Sequence, residues 1–204
     1  MSARPRRRRR RRWYESGAAK AFGLLAGLGI IAAVLIVLFN GTFNKAINEL
    51  TLPLQHEDII RQQAREKGVD AALIAAVIDT ESKFSDAESS AGARGLMQIT
   101  PEAAKDIARH SGATSFRTSD LSNPEINIKY GTFLLAERIE SYDGNVVAAL
   151  ASYNAGPVPV EKWGGDSMTV DDITYPETRA YVELVLERQK EYREKYASEL
   201  GYGG

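Results

Sequence analysis

Asp70-Ala71-Ala72-Leu73-Ile74-Ala75-Ala76-Val77-Ile78-Asp79-Thr80-Glu81-Ser82 is the stretch on which the fold turns. Asp70 is a good N-cap, and the residues after it are nearly all apolar as far as Ile78, which predicts a buried helix from Ala71 to about Ser82. On a helical period Glu81 falls on the face of Leu73, Ile74, Val77 and Ile78. Burial penalises an ionised carboxyl, so a glutamic acid continuing such a face should have a raised pKa and stay protonated near neutral pH. A general acid that protonates a leaving oxygen needs that property. A satisfied buried carboxylate, or a helix end reaching solvent, gives the same pattern.

Helical signals surround this segment. Asp58 to Lys67 fits an amphipathic helix stopped by Gly68, and Thr100-Pro101 opens another that runs to about His110. Asn123-Pro124-Glu125 repeats that opening for a helix to about Tyr142, with Ile126, Tyr130, Phe133 and Leu134 on one face. Asn145 caps Val146 to Asn154, and Gly156-Pro157 ends that helix. Val158 to Asp172 reads as a loop, and Pro176 starts a last helix with Tyr181, Leu184, Val185 and Tyr192 inward. The fold class expected is an all-α globular domain, with room for one short β-hairpin in Phe84 to Met97.

The chain has 204 residues and a net charge of −1, which averages two unlike parts. Residues 1–40 hold nine of the 26 basic residues and one of the 27 acidic ones, and the remainder is strongly acidic. Arg4 and Arg6 to Arg12 lead into an apolar run from Ala21 to Phe39 that would span about 28 Å as a helix, close to a bilayer's hydrocarbon core. The run is long for a signal peptide, and Phe39-Asn40-Gly41-Thr42-Phe43 offers no small-x-small cleavage site. The division expected is a basic cytoplasmic tail (1–20), a transmembrane anchor (21–39), a linker (40–57), the globular domain (58–198) and a flexible tail (199–204). The arginines then fix orientation and can bind anionic lipid rather than nucleic acid. The protein is expected as a single-pass protein of the cytoplasmic membrane, its N-terminus cytoplasmic and everything after Phe39 outside.

Zero cysteines exclude disulfides, thiolate metal sites and a cysteine nucleophile. His56 and His110 have no metal-ligand spacing, so no metal or other cofactor is expected.

Two further blocks bear on chemistry. Gly95-Leu96-Met97-Gln98-Ile99-Thr100-Pro101 is a loop entering a capped helix, and its Gln98 offers both a donor and an acceptor, as sugar hydroxyl and acetamido groups need. Ala151-Ser152-Tyr153-Asn154-Ala155-Gly156 puts a phenol and an amide at a helix end. Together with Glu81-Ser82 and Tyr175-Pro176-Glu177-Thr178-Arg179-Ala180-Tyr181-Val182, these blocks resemble the catalytic domain of soluble-type lytic transglycosylases, in the lysozyme-like superfamily. The resemblance covers about Glu57 to Tyr196, and it departs from the family mildly at Ser152, where an apolar or small residue is usual.

The resemblance implies a lysozyme-like fold and cleavage of peptidoglycan glycan strands. The bond is the β-1,4 link from N-acetylmuramic acid to N-acetylglucosamine, broken without water to leave a 1,6-anhydromuramic end. It implies Glu81 as the single acid/base, Ser82 beside it, and Met97, Gln98, Tyr153 and Asn154 along the saccharide groove. Glu177 and Tyr181 fall in a block close to that groove. Two rivals remain at this level: a lysozyme-type hydrolase using Asp86 or Glu88 as second carboxylate, and a silent wall-binding scaffold.

Overall fold

Helix α1, Glu57–Lys67, ends where Gly68 adopts a left-handed conformation and its N–H returns to the Ala64 carbonyl. Asp70 then caps α2, Ala71–Ser82, accepting from the Leu73 N–H at 3.0 Å. Every residue of α2 from Ala71 to Asp79 is buried, so α2 is the central helix of the core, apolar almost all round. The structure is a computed structural model and describes residues 52–110 and 117–203. The tail and anchor expected over 1–39, and most of the linker, lie outside the described residues. Among the described residues no helix is long and apolar enough to cross a membrane.

Five more α-helices follow among the described residues. They are α3 (Pro101–His110), α4 (Pro124–Ser141), α5 (Val146–Ala155), α6 (Pro157–Lys162) and α7 (Pro176–Lys195). A 3-10 turn, Thr118–Ser122, leads into α4, whose cap Asn123 accepts from the Glu125 N–H. Helix α2 packs most extensively on α7, and α5 packs on α4, α6 and α7. The fold is mainly helical, and the described residues contain no strand.

Several expectations need correcting. The hairpin expected in Phe84 to Met97 is reduced to two isolated antiparallel bridges, Glu88 with Arg94 and Arg94 with Ile99. Val158 to Asp172 is not a plain loop. Gly156 turns the chain with a positive φ of 81°, Pro157 opens α6 at its first position, and 3-10 turns follow at Gly165–Ser167 and Val170–Asp172. A glycine–proline pair thus stops one helix and starts the next. The inward face of α4 is Asn127, Ile128, Gly131, Thr132 and Leu135, with Tyr130, whereas Ile126, Phe133 and Leu134 are only half-buried.

The ends of the globule are also tied down more than expected. Leu52 is buried, and its carbonyl accepts from the Tyr196 hydroxyl at 2.8 Å. At the other end Leu200 is buried, and the Tyr202 hydroxyl donates to Asp70 Oδ1 at 2.7 Å and accepts from the Ala72 N–H at 2.8 Å. The segment 199–203 is therefore docked on the start of α2 and is not a free tail.

The buried amide of Asn127 explains the rotation of α4. Its Oδ1 accepts from the Met97 N–H at 2.8 Å, and its Nδ2 donates to the Arg94 and Leu121 carbonyls at 2.9 and 2.8 Å. Gly95 lies so close that a Cβ there would come 2.2 Å from Asn127 Nδ2, and a Cβ at Gly131 would come 2.4 Å from Met97 Sδ. Asn127→Ala removes three hydrogen bonds and orphans buried backbone groups. It is expected to lower stability by about 3 kcal/mol, read as a fall in the urea unfolding midpoint at unchanged slope.

Candidate active site

Glu81 occupies the last turn of α2, where the helix leaves the core. Its Oε1 accepts a hydrogen bond from the Tyr181 hydroxyl of α7 at 2.8 Å. Burial pushes the Glu81 pKa up to about 7, and the Tyr181 bond opposes that rise in part by favouring the carboxylate. Tyr153, near the end of α5, donates to the Met97 carbonyl at 2.8 Å. The Tyr153 and Tyr181 phenols are both pushed up, first by burial and then by the nearby Glu81 charge, so both stay neutral. The centre is one carboxyl among neutral phenols.

The loop 94–99 forms the adjoining wall. Ser82 Oγ is within 2.8 Å of the Leu96 carbonyl and 3.2 Å of the Ile78 carbonyl, so its hydroxyl ties the end of α2 to this loop. Arg94 and Ile99 exchange backbone hydrogen bonds at 3.0 Å across the loop.

Gln98 has a positive φ of 47°, and its Nε2 donates to the Ala87 and Gly95 carbonyls, both at 2.9 Å. The donors expected to meet a sugar are thus engaged within the loop, and Oε1 is the group left to offer. Met97 departs furthest from expectation. Its side chain is wholly inaccessible, wedged against Gly131, so it supports the wall from behind and cannot touch a ligand.

Asn154 is exposed, and its Oδ1 accepts from the Thr178 hydroxyl at 2.9 Å, which leaves the amide nitrogen as a donor. Glu177 is exposed in the first turn of α7, and no hydrogen bond or ion pair joins it to Glu81. The structure therefore brings Glu81, Tyr181 and Tyr153 together and places Ser82, Gln98 and Met97 in the supporting wall.

Thr178 and Asn127 were missed from sequence. Thr178 stands inside the quoted block beside Glu177, but Asn127 carried no local signal. Of the two candidate second carboxylates, Glu88 is paired with Arg94 at 2.9 Å and Asp86 is exposed in the loop. Among the described residues no three His, Asp or Glu side chains converge to hold a metal ion.

The model of the transglycosylase SLT domain family matches residues 58–176. Over 154 residues, 71% of this chain, the protein is 33% identical to soluble lytic murein transglycosylase of Salmonella typhimurium. It is 36% identical over 141 residues to membrane-bound lytic murein transglycosylase C of Cronobacter sakazakii, covering 64% of this chain and 37% of that relative. A solved structure of an inactive glutamate-to-glutamine mutant of lytic transglycosylase Slt from Pseudomonas aeruginosa superposes with a TM-score of 0.69 at 33% identity. That match covers 74% of this chain and 26% of the other. The chain spans about a quarter of the length of the soluble relatives, 24% for the Salmonella protein.

The raised pKa has a consequence for stability. Between the ordinary value of 4.5 and about 7 the folded protein holds a proton on Glu81 that the unfolded chain has lost. Stability from this group is therefore greatest at low pH and falls as pH rises, by up to about 3 kcal/mol above neutrality. Glu81→Gln, which cannot ionise, is expected to be more stable than wild type at pH 8 and nearly equal to it at pH 4. Urea titrations at the two pH values check this.

Proposed function

The chain belongs to the transglycosylase SLT domain family, and from that premise we propose that it is a peptidoglycan lytic transglycosylase with Glu81 as its single acid/base. The observation that carries the reading is the half-buried Glu81 carboxyl, raised to about 7 and bonded to Tyr181. Such a group is protonated in a useful fraction at neutral pH and is still basic enough, once ionised, to take a proton back.

In the first step Glu81 protonates the glycosidic oxygen between N-acetylmuramic acid and N-acetylglucosamine as the bond to C1 breaks. The acetamido oxygen of the muramic residue attacks C1 and carries the positive charge, in place of an enzyme nucleophile. Glu81, now a carboxylate held by the Tyr181 hydroxyl, removes the proton of the muramic C6 hydroxyl. That oxygen closes onto C1 and expels the acetamido oxygen, which leaves the 1,6-anhydro ring and restores protonated Glu81. The neutral Tyr153 and the outward amide of Asn154 offer hydrogen bonds to the bound saccharide, as does Gln98 Oε1.

A hydrolase on the same fold would need a second carboxylate at C1 or on a water. The Glu88–Arg94 ion pair and the exposure of Asp86 disfavour both candidates. The envelope location is proposed from the sequence. The Ala21 to Phe39 run would anchor the chain in the cytoplasmic membrane, and the arginine tail would meet anionic lipid on the inner side. The catalytic part would then face the wall from a tether, which raises its local concentration there.

Sacculi incubated with the full chain are expected to release muropeptides lighter by one water than hydrolase products and lacking a reducing end, as mass spectrometry reads. Glu81→Gln is expected to reduce release by at least about a hundredfold. Products with a reducing end would make the enzyme a hydrolase, and equal release by both proteins would remove Glu81 from the mechanism.

A further inference from the structure

Directly after Glu81 and Ser82, the chain leaves α2 through Lys83 and Phe84, whose φ angles are 54° and 59°. They are the only adjacent pair of non-glycine residues with positive φ among the described residues. Left-handed backbone is costly for side chains of this size and persists only where the surroundings over-determine it.

At Phe84 the constraint is burial, with its ring 6.3 Å from that of Tyr192 on α7. At Lys83 it is charge. Lys83 Nζ sits 2.9 Å from Asp79 Oδ2, and the Lys83 N–H also returns to the Asp79 carbonyl at 3.1 Å. The Asp79 side chain is completely inaccessible, although Lys83 is largely exposed. From α7, Arg188 Nε approaches the same oxygen at 3.3 Å, while Arg188 also pairs with Glu191 at 2.7 Å. Tyr192 of α7 also lies near enough to feel the Asp79 charge. Asp79 Oδ1 has no hydrogen-bond partner among the described residues.

A surface-exposed lysine does not need a buried carboxylate for solubility, and an apolar residue would pack α2 against α7 with less desolvation. Asp79 and Glu81 lie about 200° apart around the helix, so the pair cannot reach Glu81 through side chains. It can reach Glu81 through the backbone. Relaxation of residue 83 would unwind the last turn of α2, on which the Glu81–Tyr181 and Ser82–Leu96 bonds depend.

We propose that the Asp79–Lys83 ion pair, backed by Arg188, is a positioning device that holds the left-handed turn after Glu81 and thereby keeps the Glu81 carboxyl against Tyr181. The proposal rests on the transglycosylase reading for its effect on catalysis, but not for its effect on Glu81 itself.

The test compares two substitutions that both remove the exposed partner and leave the core intact. Lys83→Met keeps a side chain that disfavours positive φ, whereas Lys83→Gly removes both the charge and the need for it. In the full chain, Lys83→Met is expected to lower kcat on sacculi about five- to tenfold with KM within twofold. With the last turn loosened the carboxyl regains water, which outweighs the lost Tyr181 bond, so the Glu81 titration, followed by carboxyl ¹³C NMR, is expected to move down from about 7 toward the ordinary range. Lys83→Gly is expected to keep kcat within twofold and to leave the titration in place. Asp79→Asn is expected to behave as Lys83→Met, and adding Lys83→Gly to it to restore both readouts.

Equal behaviour of Lys83→Met and Lys83→Gly would overturn the proposal, as would variants that lose thermal stability with an unmoved Glu81 titration. A wild-type chain that leaves sacculi intact would sink the transglycosylase reading, while the NMR comparison would still decide the positioning claim.

Discussion

A single carboxyl withheld from water at the end of an apolar helix is the constraint around which the described residues are arranged. Helix α2 is buried from Ala71 to Asp79, so its last turn emerges from the core with Glu81 still half-enclosed. Desolvation alone would push the proton on more firmly, and the Tyr181 hydroxyl, which stabilises the ionised form, draws the value back. The balance depends on how α7 lies against α2, so the largest helix–helix contact of the fold is also what sets the acidity of its candidate acid.

The wall beside Glu81 is built from the other direction. Residues 94–99 have almost no regular structure, yet their backbone groups are nearly all spoken for. Asn127 from α4 takes the Met97 N–H and the Arg94 carbonyl, Ser82 takes the Leu96 carbonyl, and Tyr153 takes the Met97 carbonyl. A loop satisfied by three separate helices is held as firmly as an element of secondary structure. The wall and the acid therefore share one scaffold, with Ser82 and Glu81 adjacent on the same turn of α2.

Much of this was legible in the sequence where the information is local. Asp70, Asn123 and Asn145 cap the helices they were expected to cap, because a side-chain oxygen over free N–H groups is decided within a few residues. The unusual placement of Glu81 on an apolar face was visible for the same reason. What was not legible depends on partners distant in sequence. Asn127 looks like any polar helix residue until the loop thirty residues earlier is laid against it. Met97 and Gln98 carried the right residue types for a ligand wall, but packing on Gly131 and hydrogen bonds within the loop decide that one faces inward and the other spends its amide donors on the chain. Helix α6 was hidden because glycine and proline mark both the end of a helix and the start of one, and sequence alone does not say which. Asp79 follows the apolar run directly with no local sign of a role, and its significance appears only once Arg188 arrives from α7.

The electrostatic character of the centre follows from the same economy of charge. The phenols of Tyr153 and Tyr181 are buried beside Glu81, and burial together with its charge keeps them neutral. When Glu81 gives up its proton, the centre acquires one negative charge and no more. A second carboxylate nearby would raise the pKa of the first further and weaken its ability to donate. It would also supply the nucleophile at C1 that a neutral substrate acetamido oxygen supplies instead in the proposed route. One of the two candidates, Glu88, is engaged with Arg94 across an isolated bridge, and that pairing itself helps shape the loop. A chain whose residues 41–204 are strongly acidic thus presents a nearly neutral centre, in which hydrogen bonds rather than long-range attraction would have to select the proposed anionic wall polymer. In the proposed route the same neutrality would let one glutamic acid act as donor and acceptor in turn, since nothing beside it holds its proton permanently on or off.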